Sequence, residues 1–139
     1  MTIHLLRPAV GIEDVTHLIE VMRLRRDPGP PPSVFITTRN TPKRGEDLRD
    51  GGSVYWIIKG AIRARQAVLE VERVEADDSK PFCRIYLDPE VVLTAPWPRR
   101  AHQGWRYLDV ADAPPDIKEG GGDELPPEMR AELRELGLL

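Results

Sequence analysis

Two clusters of basic and polar residues offer the clearest chemistry in this sequence. The first basic cluster, residues 37–44, combines hydroxyls, an amide and three cations at the end of a hydrophobic run. Arginine binds a phosphate through two parallel hydrogen bonds, and lysine adds a point charge. The second basic cluster, residues 99–107, interleaves cations with Trp105 and Tyr107. This combination suits single-stranded nucleic acid, since aromatic rings stack on bases while cations contact the phosphates.

Each cluster also has a structural interpretation. The two aromatic rings of the second cluster share one face of a predicted strand and would equally serve as core residues. Arg39 and Arg106 are equally compatible with ion pairs to acids such as Asp50 or Glu70. The sequence leaves both alternatives open.

Residue types that often build metal and catalytic sites are sparse. The three histidines and Cys83 show none of the ligand spacings that zinc sites use. Cys83 alternates with its neighbours in a predicted strand, a pattern typical of a buried and inert thiol. No glycine-rich phosphate loop precedes a predicted helix. The sequence therefore predicts neither a metal site nor a cofactor.

Length and composition indicate one globular domain. The chain has 139 residues, of which 40% are hydrophobic and 31% charged. Its longest apolar run, residues 54–58, has five residues, against about 20 for a membrane span. The N-terminus has no basic and apolar leader, and a lone cysteine fits a reducing compartment. We therefore expect a cytoplasmic protein without membrane association.

The net charge of −3 is unevenly distributed along the chain. Residues 34–108 contain 13 Lys and Arg against 10 Asp and Glu, whereas residues 109–139 contain 9 acids against 3 bases. An acidic tail thus masks a mildly basic middle. This asymmetry permits an anionic ligand, although a solvated surface with an acidic tail is the plainer interpretation.

The elements that must position these clusters can be read from the hydrophobic pattern. Residues 13–26 have the apolar stripe of an amphipathic helix, and 28–32 form a proline-rich connector. The run 50–60 is bounded by glycines and is apolar on both faces, as in a central strand. Residues 61–74 fit a helix or a strand, and the flanking glycines favour a bent strand. Further strands are predicted at 2–9, 33–39, 82–87, 91–94 and 105–108, with one helical turn at 45–49.

Tight turns between these strands predict an α+β fold. We expect a small, mainly antiparallel β-barrel or a strongly curved sheet over residues 33–108, flanked by an N-terminal and a C-terminal helix. Residues 1–113 would form the domain. Residues 114–139 would form an acidic linker rich in Pro and Gly, followed by a short docking helix.

Several short sequence segments resemble those of an uncharacterised bacterial family found chiefly in alphaproteobacteria, domain of unknown function 1489. They are Thr-Pro-Lys-Arg (41–44), Asp-Gly-Gly-Ser-Val-Tyr-Trp-Ile-Ile-Lys-Gly (50–60), Ala-Arg-Gln (64–66), Leu-Asp-Pro-Glu (87–90), Gln-Gly-Trp-Arg-Tyr-Leu (103–108) and Asp-Ala-Pro-Pro-Asp (112–116). The resemblance spans nearly the whole chain. It implies a family and no activity.

A second resemblance is architectural. An extended segment ending in Thr38-Arg39, a strand bounded by glycines and a long strand over 62–74 resemble the PUA-like barrels, including the ASCH group. Those domains generally bind RNA or modified bases in a cleft. Some ASCH proteins hydrolyse acylated cytidine with a Lys and a Thr shortly before an Arg that Arg39 would match. Here Val34 stands where that Lys is expected.

Three functional hypotheses follow. The leading one is a non-catalytic module that binds RNA or a modified nucleotide. Its predicted ligand residues are Thr38, Arg39, Lys43, Arg44, Arg63, Arg65, Gln66, Trp105, Arg106 and Tyr107. The alternative is a structural or interaction domain that binds a protein partner or a second copy through residues 127–139. The third is a hydrolase of a modified nucleoside, with Lys43 or Lys59 in place of the missing Lys and Glu70 as general base.

Overall fold

The strands and helices predicted before residue 109 recur in the structure, a computed structural model that describes residues 1–75 and 80–117. Within these ranges lie β1 (His4–Pro8), α1 (Val15–Arg25), β2 (Val34–Thr38), α2 (Gly45–Arg49), β3 (Ser53–Ile58), β4 (Ala61–Val74), β5 (Phe82–Leu87), β6 (Val92–Pro98) and β7 (Arg106–Leu108). The ambiguous segment 61–74 is a strand, as the flanking glycines indicated. Strand β6 runs beyond the predicted 91–94, through two prolines.

The strands form one mixed sheet in the order β2-β5-β4-β3-β1-β7, with β6 also paired to β4. Only β1 and β3 pair in parallel among the described strands. The first part of β4, residues 61–65, pairs with β6, and residues 68–74 pair with β5. These findings confirm the α+β class and the mainly antiparallel sheet.

Of the two predicted architectures, a small barrel or a strongly curved sheet, the barrel does not form. Strands β2 and β7 lie at the two ends of the strand order, and the described residues show no backbone pairing between them. Closing a barrel would require β2 to pair with β7. Strand β7 has only three residues, and Pro42 follows soon after β2, so little extended backbone is available for that pairing. Side chains bridge the ends instead, because the Trp105 Nε1–H donates to the Asn40 carbonyl at 3.2 Å. The sheet is therefore curved and open.

Helix α1 packs on one face of the sheet. Asp14 caps its first turn by accepting the His17 backbone N–H at 2.7 Å, and Val15, Leu18 and Met22 are buried. They join the main core with Leu5, Val54, Trp56, Ile85 and other buried residues. The opposite face carries a smaller core of Leu6, Tyr55, Ile57, Ile62 and Leu108. Strand β3 is consequently buried on both faces, as its sequence predicted.

The β3–β4 hairpin and the bends of β4 follow from local geometry. Lys59 and Gly60 form a two-residue turn with φ of 48° and 80°, the left-handed pair that suits the strand twist. The register of β4 shifts between Ile62 and Ala64 and again between Val68 and Glu70. Such bulges bend a strand and strengthen its twist. They let one strand, β4, pair with β6 through its first part and with β5 through its last part.

The chain remains attached to the sheet after β7. A short bridge joins Thr94 to Asp116, and the Ile117 N–H donates to the Leu93 carbonyl at 2.9 Å. The linker beyond residue 117 and the predicted docking helix at 127–139 lie outside the described residues. Among the described helices, none has the length and apolar character needed to cross a membrane.

Candidate functional site

The first basic cluster lies against the aromatic pair of the second. Besides the Trp105–Asn40 hydrogen bond, the Tyr107 hydroxyl accepts the backbone N–H of Arg44 at 3.1 Å. The Trp105 and Tyr107 rings meet edge to face with centroids 5.1 Å apart. Residues more than sixty positions apart in sequence therefore share one surface. We call this surface the aromatic rim.

The cations of the rim differ in how strongly they are already paired. The Arg44 guanidinium lies 5.9 Å from the Tyr107 ring centroid and binds the Asp47 carboxylate at 2.9 Å. Hydrogen bonds from Arg44 and from the N-terminal ammonium lower the pKa of Asp47, so this carboxylate offsets the Arg44 charge. Arg39 and Lys43 are exposed and form no ion pair with other described residues. Those two cations can bind an outside anion without breaking an internal pair.

Thr38, the remaining predicted ligand residue at this rim, has a structural role. It is buried, and its hydroxyl donates to the Asn40 carbonyl at 2.9 Å. That carbonyl also accepts the Trp105 indole N–H. Thr38 thus shapes the loop that supports the aromatic rim.

The loop that connects β6 to β7 forms a second concave surface. It encloses about 550 Å³ and is lined by Arg99, Arg100, Ala101, His102, Gln103 and Arg106. No carboxylate is among these lining residues. Burial lowers the pKa of His102; the hydrogen bond to the Leu6 main-chain carbonyl opposes this shift, and the Arg106 and Arg99 cations add to it. We call this surface the basic concavity.

The rim and the concavity lie on opposite faces of the same edge strand. In the β1–β7 pair, Arg106 lies opposite Leu6 and Tyr107 lies opposite Leu5, and paired residues share a face. Leu5 belongs to the main core and Leu6 to the smaller one. Because β7 ends the strand order, a ligand that follows this edge could contact both surfaces.

The three predicted ligand residues of β4 are engaged internally. Arg65 binds both Asp116 carboxylate oxygens at 2.7 Å and donates to the Ser53 hydroxyl at 3.0 Å. The hydrogen bond with Asp116 raises the pKa of Arg65 and lowers that of Asp116. Arg63 donates to a main-chain carbonyl at 3.2 Å. Gln66 is completely buried in the main core, where it is a structural residue.

The weak catalytic candidates occupy three different elements, although Lys43 lines one surface pocket with Arg49 and Val71, which contact Glu70. Lys59 occupies the β3–β4 turn, while Glu70 lies in the second half of β4. Glu70 binds the Arg49 guanidinium at 3.0 Å and accepts the Val71 backbone N–H. Lys43 belongs to the loop before α2. Cys83 is fully buried, as its strand position predicted.

Three exposed residues at or just before the basic concavity are missing from the predicted ligand set. Arg99 and Arg100 form part of the basic concavity, and Trp97 is 46% exposed just before them. The alternation of β6 would have placed Trp97 on a strand face, but the flanking prolines favoured an earlier strand end.

His4 should make stability depend on pH. Its Nδ1 accepts the Ser53 backbone N–H at 3.0 Å inside the protein, and burial, with a smaller effect of Arg65, lowers its pKa below 6.5. The unfolded chain therefore binds the proton more tightly than the folded one. The stability that His4 contributes is complete above pH 6.5 and is lost as the pH falls through the folded pKa. Urea unfolding at pH values from neutral to mildly acidic measures this loss.

The matched variant is His4→Asn, because its amide oxygen can replace Nδ1 as an acceptor and does not titrate. We expect a flatter pH profile for this variant, with His102 accounting for part of the remaining slope because its pKa is also lowered. Identical profiles for the two proteins would contradict the assignment.

Comparison with known proteins identifies the family. No curated protein and no solved structure matches the chain. The family model described as Protein of unknown function (DUF1489) matches residues 5–139, which confirms the resemblance seen in the sequence phrases; the chain belongs to this family.

Proposed function

We propose that the protein binds single-stranded RNA along the edge formed by β7. In this proposal the phosphates contact the basic concavity, and the bases stack at the aromatic rim. The protein acts as a binding module, and no reaction is assigned to it. An RNA backbone that follows β7 would have cations on one side for its phosphates and aromatic rings on the other side for its bases.

The observation that carries the proposal is the charge of the basic concavity. Three guanidinium groups line it, and its described lining residues include no carboxylate, even though acids outnumber bases in the chain. Six arginines elsewhere in the described residues form ion pairs with carboxylates: Arg23, Arg44, Arg49, Arg65, Arg73 and Arg84. Unpaired cations on a concave surface attract a polyanion and release its counterions on binding.

The aromatic rim supports the choice of a single-stranded ligand. Tyr107 is 37% exposed, so it presents part of its ring to solvent. Trp97, 46% exposed, pairs with Ile62 of the smaller core and therefore lies outside the rim, on the other face. Double-stranded nucleic acid keeps its bases stacked and offers no free faces to such rings. Arg39 and Lys43 extend the positive charge beyond Tyr107.

We also propose that the fold is related to that of the PUA-like domains. The curved sheet, with α1 on one face and the end of β2 close to β7, is compatible with the fold that such domains use to bind RNA or modified bases. Fold-level similarity alone is a weak argument for function. The proposal therefore depends on the side chains at the edge.

The test measures binding of a labelled single-stranded RNA of about 12 nucleotides by fluorescence anisotropy. We expect wild-type affinity to fall steeply between about 50 and about 200 mM salt, because phosphate neutralisation releases counterions. The variant carrying Arg99→Gln, Arg100→Gln and Arg106→Gln should bind at least about 10-fold more weakly at low salt, and its salt slope should be smaller by about 2.

The matched control removes the same charge elsewhere. Arg23→Gln, Arg26→Gln and Arg73→Gln combined change three exposed arginines outside the basic concavity. This control should retain most of the affinity. Equal losses in the two variants, or wild-type binding that ignores salt, would exclude the proposal.

A separate arm tests stacking. Tyr107→Leu keeps an apolar side chain but removes the ring, and stacking on a base contributes about 1–3 kcal/mol. We therefore expect roughly 10-fold weaker binding with an unchanged salt slope, whereas the arginine variant changes the slope. An unchanged affinity would remove Tyr107 from the proposed site.

A further inference from the structure

A separate cavity lies between α1 and the main-core face of the sheet. It encloses about 430 Å³ and is lined by the end of β1, the loop after it, α1, β2 and Trp56 of β3. This volume lies within the range of small-molecule sites, about 300–1,000 Å³. The basic concavity is on the other face, so the two surfaces are distinct. We call this space the α1 cavity.

Arg7 is the unusual residue of the α1 cavity. Its register partner in β3 is Trp56, and Leu5 two residues earlier belongs to the main core, so Arg7 points to the core side of the sheet. Its Nη1 is buried and makes no hydrogen bond within the described residues. Burial also lowers the pKa of Arg7. Arg7 as a whole is half-buried, and its buried Nη1 costs stability unless an anion or other acceptor accompanies it.

Other donors surround the same space. His17 lines the cavity, and its Nδ1 accepts the Glu13 backbone N–H at 3.1 Å. In the neutral ring the proton therefore lies on Nε2, which makes that nitrogen a donor. Arg25 and Thr37 also line the cavity, whereas none of the lining residues in the described part of the chain carries a carboxylate. The polar groups are thus suited to an acceptor that carries negative charge.

The remaining lining is mostly apolar. Ile12, Leu18 and Met22 face the space from the loop and from α1, and Trp56 faces it from the sheet. A hydrophobic wall beside a few convergent polar groups is the usual composition of a site for a small organic molecule. A bare inorganic ion would leave this wall unused.

We propose that the α1 cavity binds a small organic anion, with its carboxylate or phosphate group on Arg7 and its apolar body against α1 and Trp56. Arginine binds either acidic group through paired hydrogen bonds. The anion would supply the partner that Nη1 lacks. This site goes beyond RNA binding at the β7 edge and does not depend on it.

The experiment titrates the full chain with three probes of similar shape: benzoate, phenyl phosphate and neutral benzamide. Binding is followed by calorimetry and by the three tryptophan indole N–H signals in NMR, among which Trp56 reports on the cavity. We expect at least one anion to bind and to shift the Trp56 signal, while benzamide binds much more weakly. The tighter anion identifies the preferred acidic group.

Arg7→Met and Arg7→Lys test the residue itself. Both should weaken anion binding roughly 10- to 100-fold, because charge-assisted hydrogen bonds to the planar fork are lost or reduced. Without ligand, Arg7→Met should unfold at the same temperature as wild type or higher, since it removes a buried Nη1 that has no partner among the described residues. If Arg7→Met does not fold, Arg7→Lys retains the charge and provides the binding measurement.

Two controls separate this site from other causes. Arg26→Met removes a charge just after α1 from a residue outside the cavity lining, and should bind the anions as wild type does. The triple variant of Arg99, Arg100 and Arg106 should also bind them normally. If neither anion binds wild type, or if the Arg7 variants bind equally well, the proposal is overturned.

Discussion

Gly52→Ala is expected to destabilise the fold by more than about 3 kcal/mol, or to prevent folding. A Cβ at this position would lie 2.5 Å from the Leu48 carbonyl oxygen and closer still to that of Ile3. Both obstacles are backbone atoms, which cannot rotate away as a side chain can. Gly52 also donates to Leu48 at 2.8 Å and accepts from Val68 at 2.9 Å, so α2, β3 and β4 meet at this residue.

Urea unfolding measures the effect, with Gly45→Ala as the matched control. A Cβ at Gly45 would meet only the Val71 side chain, at 3.7 Å, and the residue lies in the short helix α2. Alanine is the better helix former, so this control should be neutral or slightly stabilising. If Gly52→Ala unfolds at the same urea concentration as wild type, the close packing of α2 on β3 is incorrect.

Gln66→Leu is expected to reduce the free energy of unfolding by about 2–5 kcal/mol. The buried Gln66 accepts the Trp56 indole N–H at 2.9 Å and donates to the Asp88 carbonyl at 3.0 Å. Leucine fills similar space but leaves both groups without a partner. Calorimetric or urea unfolding of the purified variant gives the cost.

A double-mutant cycle shows whether the lost hydrogen bond is the cause. Trp56→Phe removes the indole donor, so Gln66→Leu should cost less in that background than in wild type. Strictly additive effects would instead assign the cost of Gln66→Leu to packing. The same variant should leave RNA binding intact wherever the protein remains folded, because Gln66 lies in the core and away from the proposed edge.

The contrast between Gln66 and its neighbours explains why the candidate site was only partly predictable. Arg65 and Gln66 are polar residues in a run of alternating strand positions, which equally suits a cleft. Their partners, Asp116 and Trp56, lie 51 and 10 positions away, and no local pattern identifies them. Arg7 is the opposite case, a residue that the sequence does not suggest as a ligand. A cation near a strand end looks like a surface residue until its pairing with Trp56 shows that it faces the core.

The sequence by itself determined the local elements. Alternation along 53–58, the helical stripe of 15–25 and the glycine turn after Lys59 depend on neighbours within a few residues, so their predictions are confirmed. Only the tertiary structure decided that the sheet stays open, that Trp105 reaches Asn40 and that the Arg7 Nη1 has no hydrogen-bond partner in the described part of the chain. These features depend on strand order, curvature and contacts between distant segments. Periodicity specifies which face of an element is buried, but it does not specify what that face meets.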